Sequence, residues 1–420
     1  MKKKNWNVLS IVMVIVLLIS LLAACGDGGQ GTGPPPAPAE QQAPPDTADT
    51  GEADEVQPAD VEEVLIGVLA PLTGPVAQFG VAVNQGLQLY IEQFNARGGL
   101  QIRTIVYDEE GDPTNAITGY HHLVDQGVTA IIGSVTSGPT MAVVPIAYED
   151  NMPMITATAT HAGVTFNAAE NRVFTNMFRS CFIDPFQGQK MADFANEIVG
   201  AETVAILYNN EIDYSIGLKD AFEERVQQLG LEIVAIETFQ DGNIDFRAQL
   251  TNIAAQSPDV LFVPAYYQDI ALIGPQSLEA GLEDTVLLGA DGWATTVEFM
   301  ENPHTLEGSF FLTGFSPDVE DDRVQQFMDD YMAAYGEVPN MFAAQAYDAA
   351  MILIAAIELT LADGHEPGTD VFKAALIAHM AATDLTGVTG HITFDELNNP
   401  QKTAVILEVV NGEERFWGFF

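Results

Sequence analysis

Cysteine is nearly missing from this chain: Cys25 and Cys181 are the whole complement in 420 residues. Cys25 falls at the end of the amino-terminal apolar run, so the rest of the chain holds one thiol. One thiol makes no internal disulfide and is too few for a cysteine-based metal centre. Cys181 therefore reads as a small buried hydrophobe. Basic residues are also scarce, with 15 Lys and Arg against 59 Asp and Glu and a formal net charge of −44. Such a chain repels phosphate backbones, which excludes nucleic acid as a partner. An anionic substrate is disfavoured as well, unless a pocket locally reverses the field. The histidines are 121, 122, 161, 304, 365, 379 and 391, and none forms HExxH or another tight ligand pair. His121 and His122 point to different faces of a helix. There is no Gly-x-Ser-x-Gly elbow and no phosphate-binding Gly-x-x-x-x-Gly-Lys. These absences argue against an enzyme, and no cofactor or metal is expected.

What is present begins with a targeting segment. Lys2, Lys3 and Lys4 precede an apolar run from Val8 to Leu22, which is short of the ~20 residues that span a bilayer comfortably. Leu22-Ala23-Ala24-Cys25 then resembles the bacterial lipobox, in which the cysteine is acylated and becomes the new amino terminus. Residues 1–24 are expected to be a signal peptide, and Cys25 the lipidation site that anchors an extracytoplasmic protein. Residues 25–61 are rich in Pro, Gly and acids, with Pro34-Pro35-Pro36 and Pro44-Pro45, and read as a disordered tether.

From Val64 the pattern changes. Val64 to Leu69 is a buried-strand run, and Leu87, Tyr90, Ile91 and Phe94 follow at helical spacing before Gly98-Gly99. Further strands are expected at Ile102–Tyr107, Ala130–Ile132, Met154-Ile155, Val204–Leu207, Ile233–Ile236, Val260–Val263 and Val286–Leu288. Leu218, Ala221, Phe222, Val226 and Leu229 mark one intervening helix. Alternating strand and helix means an α/β fold of doubly wound parallel sheets. There are too many units for one sheet, so two lobes are expected. Apolar residues make up 47% of the chain, enough to fill both cores.

In open α/β sheets, ligands bind beyond the carboxyl ends of the strands. After Ile132 comes Gly133-Ser134-Val135-Thr136-Ser137-Gly138-Pro139, where Pro139 suits the first turn of a helix. Hydroxyls, free N–H groups and a helix start together suit a carboxylate. Thr156-Ala157-Thr158-Ala159-Thr160 is a second hydroxyl turn. Across a cleft would stand Tyr266-Tyr267 and Asp291-Gly292-Trp293. That set fits a zwitterion, with Asp291 on the ammonium.

Ile66-Gly67-Val68-Leu69-Ala70-Pro71-Leu72-Thr73-Gly74-Pro75, Asn95-Ala96-Arg97-Gly98-Gly99, and Tyr107-Asp108 with Asp112-Pro113 carry a closer likeness. Over nearly all of residues 62–420 the chain resembles the Leu/Ile/Val-type periplasmic binding proteins of ABC transporters, with the type I fold. The resemblance implies lobe one at 62–180 and 314–392, lobe two at 181–313 and 393–420, and hinge crossovers between. It implies that Ser137, Thr158, Ala159 and Thr160 hold a ligand carboxylate and neighbouring groups. Phe79, Tyr214 and Tyr266 or Tyr267 would line the pocket, and Asp291 would take the ammonium. The expected ligand is an amino acid, branched-chain or otherwise apolar, delivered to an ABC permease by a monomer. A sensor on the same fold, or a binder of an amide, urea or organic acid, is the alternative. Two departures stand out: the prototype's disulfide places hold Gly111 and Thr136, and Trp293 beside the acid is bulky.

Overall fold

The computed structural model describes residues 62–420. The expected signal peptide, the expected lipidation site Cys25 and the expected tether lie outside the described residues. The first sheet has the order β2-β1-β3-β4-β7. Its strands are β1 (Glu63–Ala70), β2 (Gln101–Asp108), β3 (Ala130–Gly133), β4 (Met154–Thr156) and β7 (Met177–Arg179), with a small β5–β6 hairpin (Phe166–Asn167, Arg172–Val173) inserted before β7. All pairings in this sheet are parallel. β1 is an interior strand between β2 and β3, which is why it reads as a continuous apolar run: its residues from Ile66 to Ala70 are buried on both faces.

Helices α1 (Ala77–Asn95), α2 (Pro113–Asp125) and α3 (Ser137–Glu149) connect these strands. Leu87, Tyr90, Ile91 and Phe94 are the buried stripe of α1, and covering each such side chain is worth about 1.5–3 kcal/mol. Gly98 and Gly99, at φ 77° and 85°, turn the chain out of that helix. Asp112 caps α2 by accepting from the Thr114 and Asn115 N–H groups at 2.8 and 2.9 Å, and Pro113 supplies its first turn.

The second sheet has the order β16-β15-β12-β11-β10-β8-β9. After helix α4 (Asp184–Phe194) come β8 (Thr203–Asn209), α5 (Asp213–Leu229), β9 (Glu232–Phe239), α6 (Arg247–Ala254), β10 (Val260–Phe262), α7 (Tyr267–Glu279), β11 (Val286–Gly289) and β12 (Phe310–Thr313). The chain then returns to the first sheet as α8 (Asp322–Tyr335), α9 (Met341–Ala362) and α10 (Asp370–Ala381), followed by a β13–β14 hairpin (Asp384–Gly387, Gly390–Thr393). Among the described residues α9 is the one helix long and apolar enough to cross a membrane, but it is a core helix. It packs along α1 so closely that a Cβ on Gly86 would sit 2.0 Å from the Ala343 carbonyl oxygen. Gly86→Ala would force these helices apart.

The second sheet corrects the all-parallel expectation at one edge. β15 (Val405–Val410) runs antiparallel to β12, and β16 (Glu413–Phe419) antiparallel to β15. Asn411 and Gly412 join them with φ 56° and 77°. A two-residue turn with both residues at positive φ matches the twist of a hairpin, and it needs no crossover helix.

Candidate functional site

The lobe-one wall of the cleft consists of the turns after β3 and β4. They are wired to one another. Thr158 Oγ1 donates to the Val135 carbonyl at 2.6 Å, and Thr156 Oγ1 donates to the Ser134 carbonyl at 2.6 Å while accepting from the Ala159 N–H at 3.1 Å. Ser137 opens α3, and its hydroxyl accepts from the His161 N–H at 3.2 Å. Behind them lies Glu109, fully buried at the end of β2. It accepts from the Ser134 hydroxyl at 2.5 Å and from the Gly111 N–H at 2.7 Å. A buried carboxyl thus ties the turn after β2 to the turn after β3. Burial pushes Glu109 up to about 7.

The opposite wall is charged. Asp291 follows β11 and is 2% exposed. Tyr214, in the first turn of α5, donates to its Oδ1 at 2.7 Å and accepts from the Gly292 N–H at 2.8 Å. Gln187 of α4 donates to the same oxygen at 3.0 Å and accepts from the Asp291 N–H at 3.1 Å. Both side-chain donors converge on Oδ1, which leaves Oδ2 for a cation. Burial pushes the Asp291 carboxyl up to about 6, with the Tyr214 and Gln187 hydrogen bonds pulling the other way. Asp184 starts α4 and is fully buried, with no hydrogen-bond partner on either oxygen among the described residues. Burial holds it well above the usual carboxylate range, with the nearby Thr160 hydroxyl pulling the other way and Asp291 adding to the rise.

Aromatic rings close the remaining side. Tyr214 stacks on Tyr266 with centroids 4.8 Å apart. Phe79 of α1 meets Tyr266 edge-on at 5.5 Å and lies 4.2 Å from Phe342. Phe79, Ser137, Thr158, Tyr214, Tyr266 and Asp291 therefore surround one point between the sheets, where the walls leave about 10 Å³. The space widens outward into a cavity of about 520 Å³ at the cleft mouth.

Other residues singled out from sequence lie beside this point. Ala159 and Thr160 are one layer back, their carbonyls accepting from Arg179 Nη1 and the Asp184 N–H, both at 2.9 Å. Tyr267 spans the cleft: its hydroxyl donates to the Pro75 carbonyl of the other lobe at 2.9 Å. Of the tyrosine pair, Tyr266 is the one at the central cavity. Trp293 turns into the core, where its Nε1 donates to the Val263 carbonyl at 2.8 Å, and so leaves the cavity free. Sequence reasoning missed Gln187, Asp184 and Phe342. The signal for the first two was an Asp-Pro helix start directly after the first crossing between sheets; Phe342 carried none.

Residues 63–414 match the family model for periplasmic binding proteins. Among solved structures, the chain is similar to a leucine-binding protein from Thermotoga maritima, with 31% identity and a TM-score of 0.77 over 85% of this chain and 98% of that one. It is similar to a branched-chain amino-acid transporter substrate-binding protein from Streptococcus pneumoniae in complex with isoleucine, with 31% identity and a TM-score of 0.76 over 84% and 98%. A leucine-, isoleucine-, valine-, threonine- and alanine-binding protein from Pseudomonas aeruginosa is 26% identical over 80% of this chain and 86% of its own length.

Proposed function

The chain belongs to the periplasmic binding protein family, and from that premise we propose that it captures an apolar, branched-chain-type amino acid in the cleft and delivers it to an ABC permease. It is a solute binder and not an enzyme. The observation that carries the reading is the pairing of a neutral hydroxyl turn at Ser137 with a buried, hydrogen-bonded Asp291 across one small cavity. A carboxylate suits the first, with the N–H groups at the start of α3, and an ammonium suits the second. Phe79, Tyr266 and Phe342 supply apolar walls for a side chain of similar character. Thr158, Ala159 and Thr160 shape the turn against the ligand, and Tyr214 orients the acid. Lobe one comprises 62–180 with 314–392, and lobe two 181–313 with 393–420.

Entry of a solute requires the lobes to part, breaking the Tyr267–Pro75 contact. The protein works as a monomer, held outside the cytoplasm by a lipid on Cys25. Loss of palmitate labelling in Cys25→Ala would agree with that anchor, persistent labelling would refute it, and sedimentation reads the mass. The test of the ligand is a thermal-shift panel of the twenty amino acids, simple amides and aromatic acids. The largest rise is expected with leucine, isoleucine or valine. A rise confined to amides or aromatic acids would overturn the amino-acid reading.

A further inference from the structure

A second cavity, of about 560 Å³, lies away from the cleft and shares no lining residue with it. Its floor is made by two of the crossings between sheets, Gly314–Ser316 and Gln401–Thr403. One side comes from α8 and the β13–β14 hairpin, the other from Val405 and Phe419 of the second sheet. The volume suits a small molecule. The charge of the lining runs against the rest of the protein. Arg323, Lys402 and His391 line it, and among the described residues Asp321 is its only carboxylate. The cleft mouth has Glu110, Asp112, Glu211, Asp213, Asp241 and Asp269 and no Lys, Arg or His. In a chain with 15 basic residues in all, two of them meet here.

Each basic group already has a partner. Asp321 grips Arg323 through Nε and Nη2 at 3.1 and 2.8 Å, which leaves the Nη1 donors of the fork for another acceptor. Lys402 donates to the Thr389 hydroxyl, which in turn donates to buried Asp348. His391 stands at the rim, 3.5 Å from Asp384. Phe315, Val324, Val388 and Phe419 give the rest of the lining an apolar character.

We propose that this hinge cavity is an effector site for a small organic carboxylate with an apolar body, its head on Arg323 and Lys402. Because the walls belong to both lobes, the cavity changes shape whenever the lobes rotate about the crossings. The shape described here goes with a cleft whose walls touch, through Tyr267 and Pro75. An occupant that bridges these walls favours lobes drawn together over lobes parted, and so raises affinity for a ligand that both lobes must grip. By linkage the cleft ligand raises affinity for the occupant equally.

The coupling half of this inference rests on the amino-acid reading of the cleft; the binding half does not. The test is calorimetric titration of the full-length protein with hexanoate, and with neutral hexanamide, each with and without saturating leucine. Hexanoate is expected to bind, hexanamide about tenfold or more weaker because it lacks the charge-assisted bonds. Leucine should tighten hexanoate binding. Lys402→Met should weaken hexanoate about tenfold while leaving leucine affinity measured alone unchanged. Arg323→Gln, at a more exposed position, serves if that variant fails to fold. Absence of hexanoate binding, equal binding of hexanamide, or competition between hexanoate and leucine would each overturn the proposal. If leucine itself does not bind, the cleft reading fails, while hexanoate titration alone still decides the hinge site.

Discussion

On the lobe-one wall of the cleft, the hydroxyls of Ser134, Thr156 and Thr158 bond to groups of their own lobe. The lobe-two wall instead buries two carboxyl groups, Asp184 and Asp291, with no basic side chain hydrogen-bonded to either among the described residues. The first wall is neutral, and most of its hydroxyls are already partnered without a solute, the buried Thr160 hydroxyl excepted. The second holds the charge of Asp291 out of water at a cost, and a cation relieves that cost. The same ligand thus meets a preformed cradle on one side and an unbalanced one on the other. Most of the selectivity for an ammonium should come from lobe two.

The comparison breaks most directly at Asp291. Asp291→Asn should lose about 2–5 kcal/mol of leucine affinity, roughly two to three decades at ~1.4 kcal/mol each. Its melting temperature should hold or rise, because the empty cleft no longer carries a buried carboxylate. Calorimetry and a melting curve on this variant read both; affinity within about threefold of the parent would put the two walls on an equal footing.

A second effect is a pH dependence. With the Asp291 carboxyl near 6, protons compete with the ammonium below that value. Leucine affinity should be flat above it and fall by up to about tenfold per pH unit well below it. Stability of the ligand-free protein should move the opposite way. The folded state holds its proton more tightly than the unfolded chain, whose carboxyl titrates near 3.8, so this contribution is greatest below that value and is lost as pH rises through about 6. Leucine titrations between pH 4.5 and 8 would show the slope, and Asp291→Asn should remove it.

The smallest change is expected on the lobe-one side. Ser137→Ala removes one hydroxyl while the turn N–H groups remain, and should cost about tenfold in leucine affinity without the pH slope moving. A loss matching that of Asp291→Asn would show that the hydroxyl turn carries as much as the acid.

Much of this wall-by-wall logic was legible in the sequence, for a local reason. The strands from Val64 to Leu288 are apolar runs bounded by helix caps and glycine stops, and the hydroxyl turns follow β3 and β4 directly. Ser137, Thr158 and Asp291 could therefore be picked out as strand-end residues. The carboxyl-terminal hairpin was equally readable, from Asn411-Gly412 between two apolar stretches, yet an alternating α/β rhythm draws attention away from it. Gln187, Asp184 and Phe342 are another matter. They reach the site from helix faces, and Phe342 comes from a helix far along the chain that folds back on α1. The Asp-Pro start of α4 is a faint local mark for the first two, while nothing local marks Phe342, which only the packing of the returning helix against α1 places. Glu109 was hidden for a related reason, since its partner Ser134 is in a different turn.

The return of α8, α9 and α10 to the first sheet has a consequence for biosynthesis. By Thr313 the chain contains every parallel strand of both sheets. Yet α1 still lacks α9, which packs along it from more than two hundred positions downstream, and β12 still lacks β15. A chain delivered amino end first therefore passes through a stage with two nearly finished sheets and an uncovered apolar helix stripe. Closing such distant contacts is slow compared with local ones, and exposed apolar surface invites self-association. Neither lobe can be finished as an independent early unit, so an emerging polypeptide must be shielded until its last hundred residues arrive.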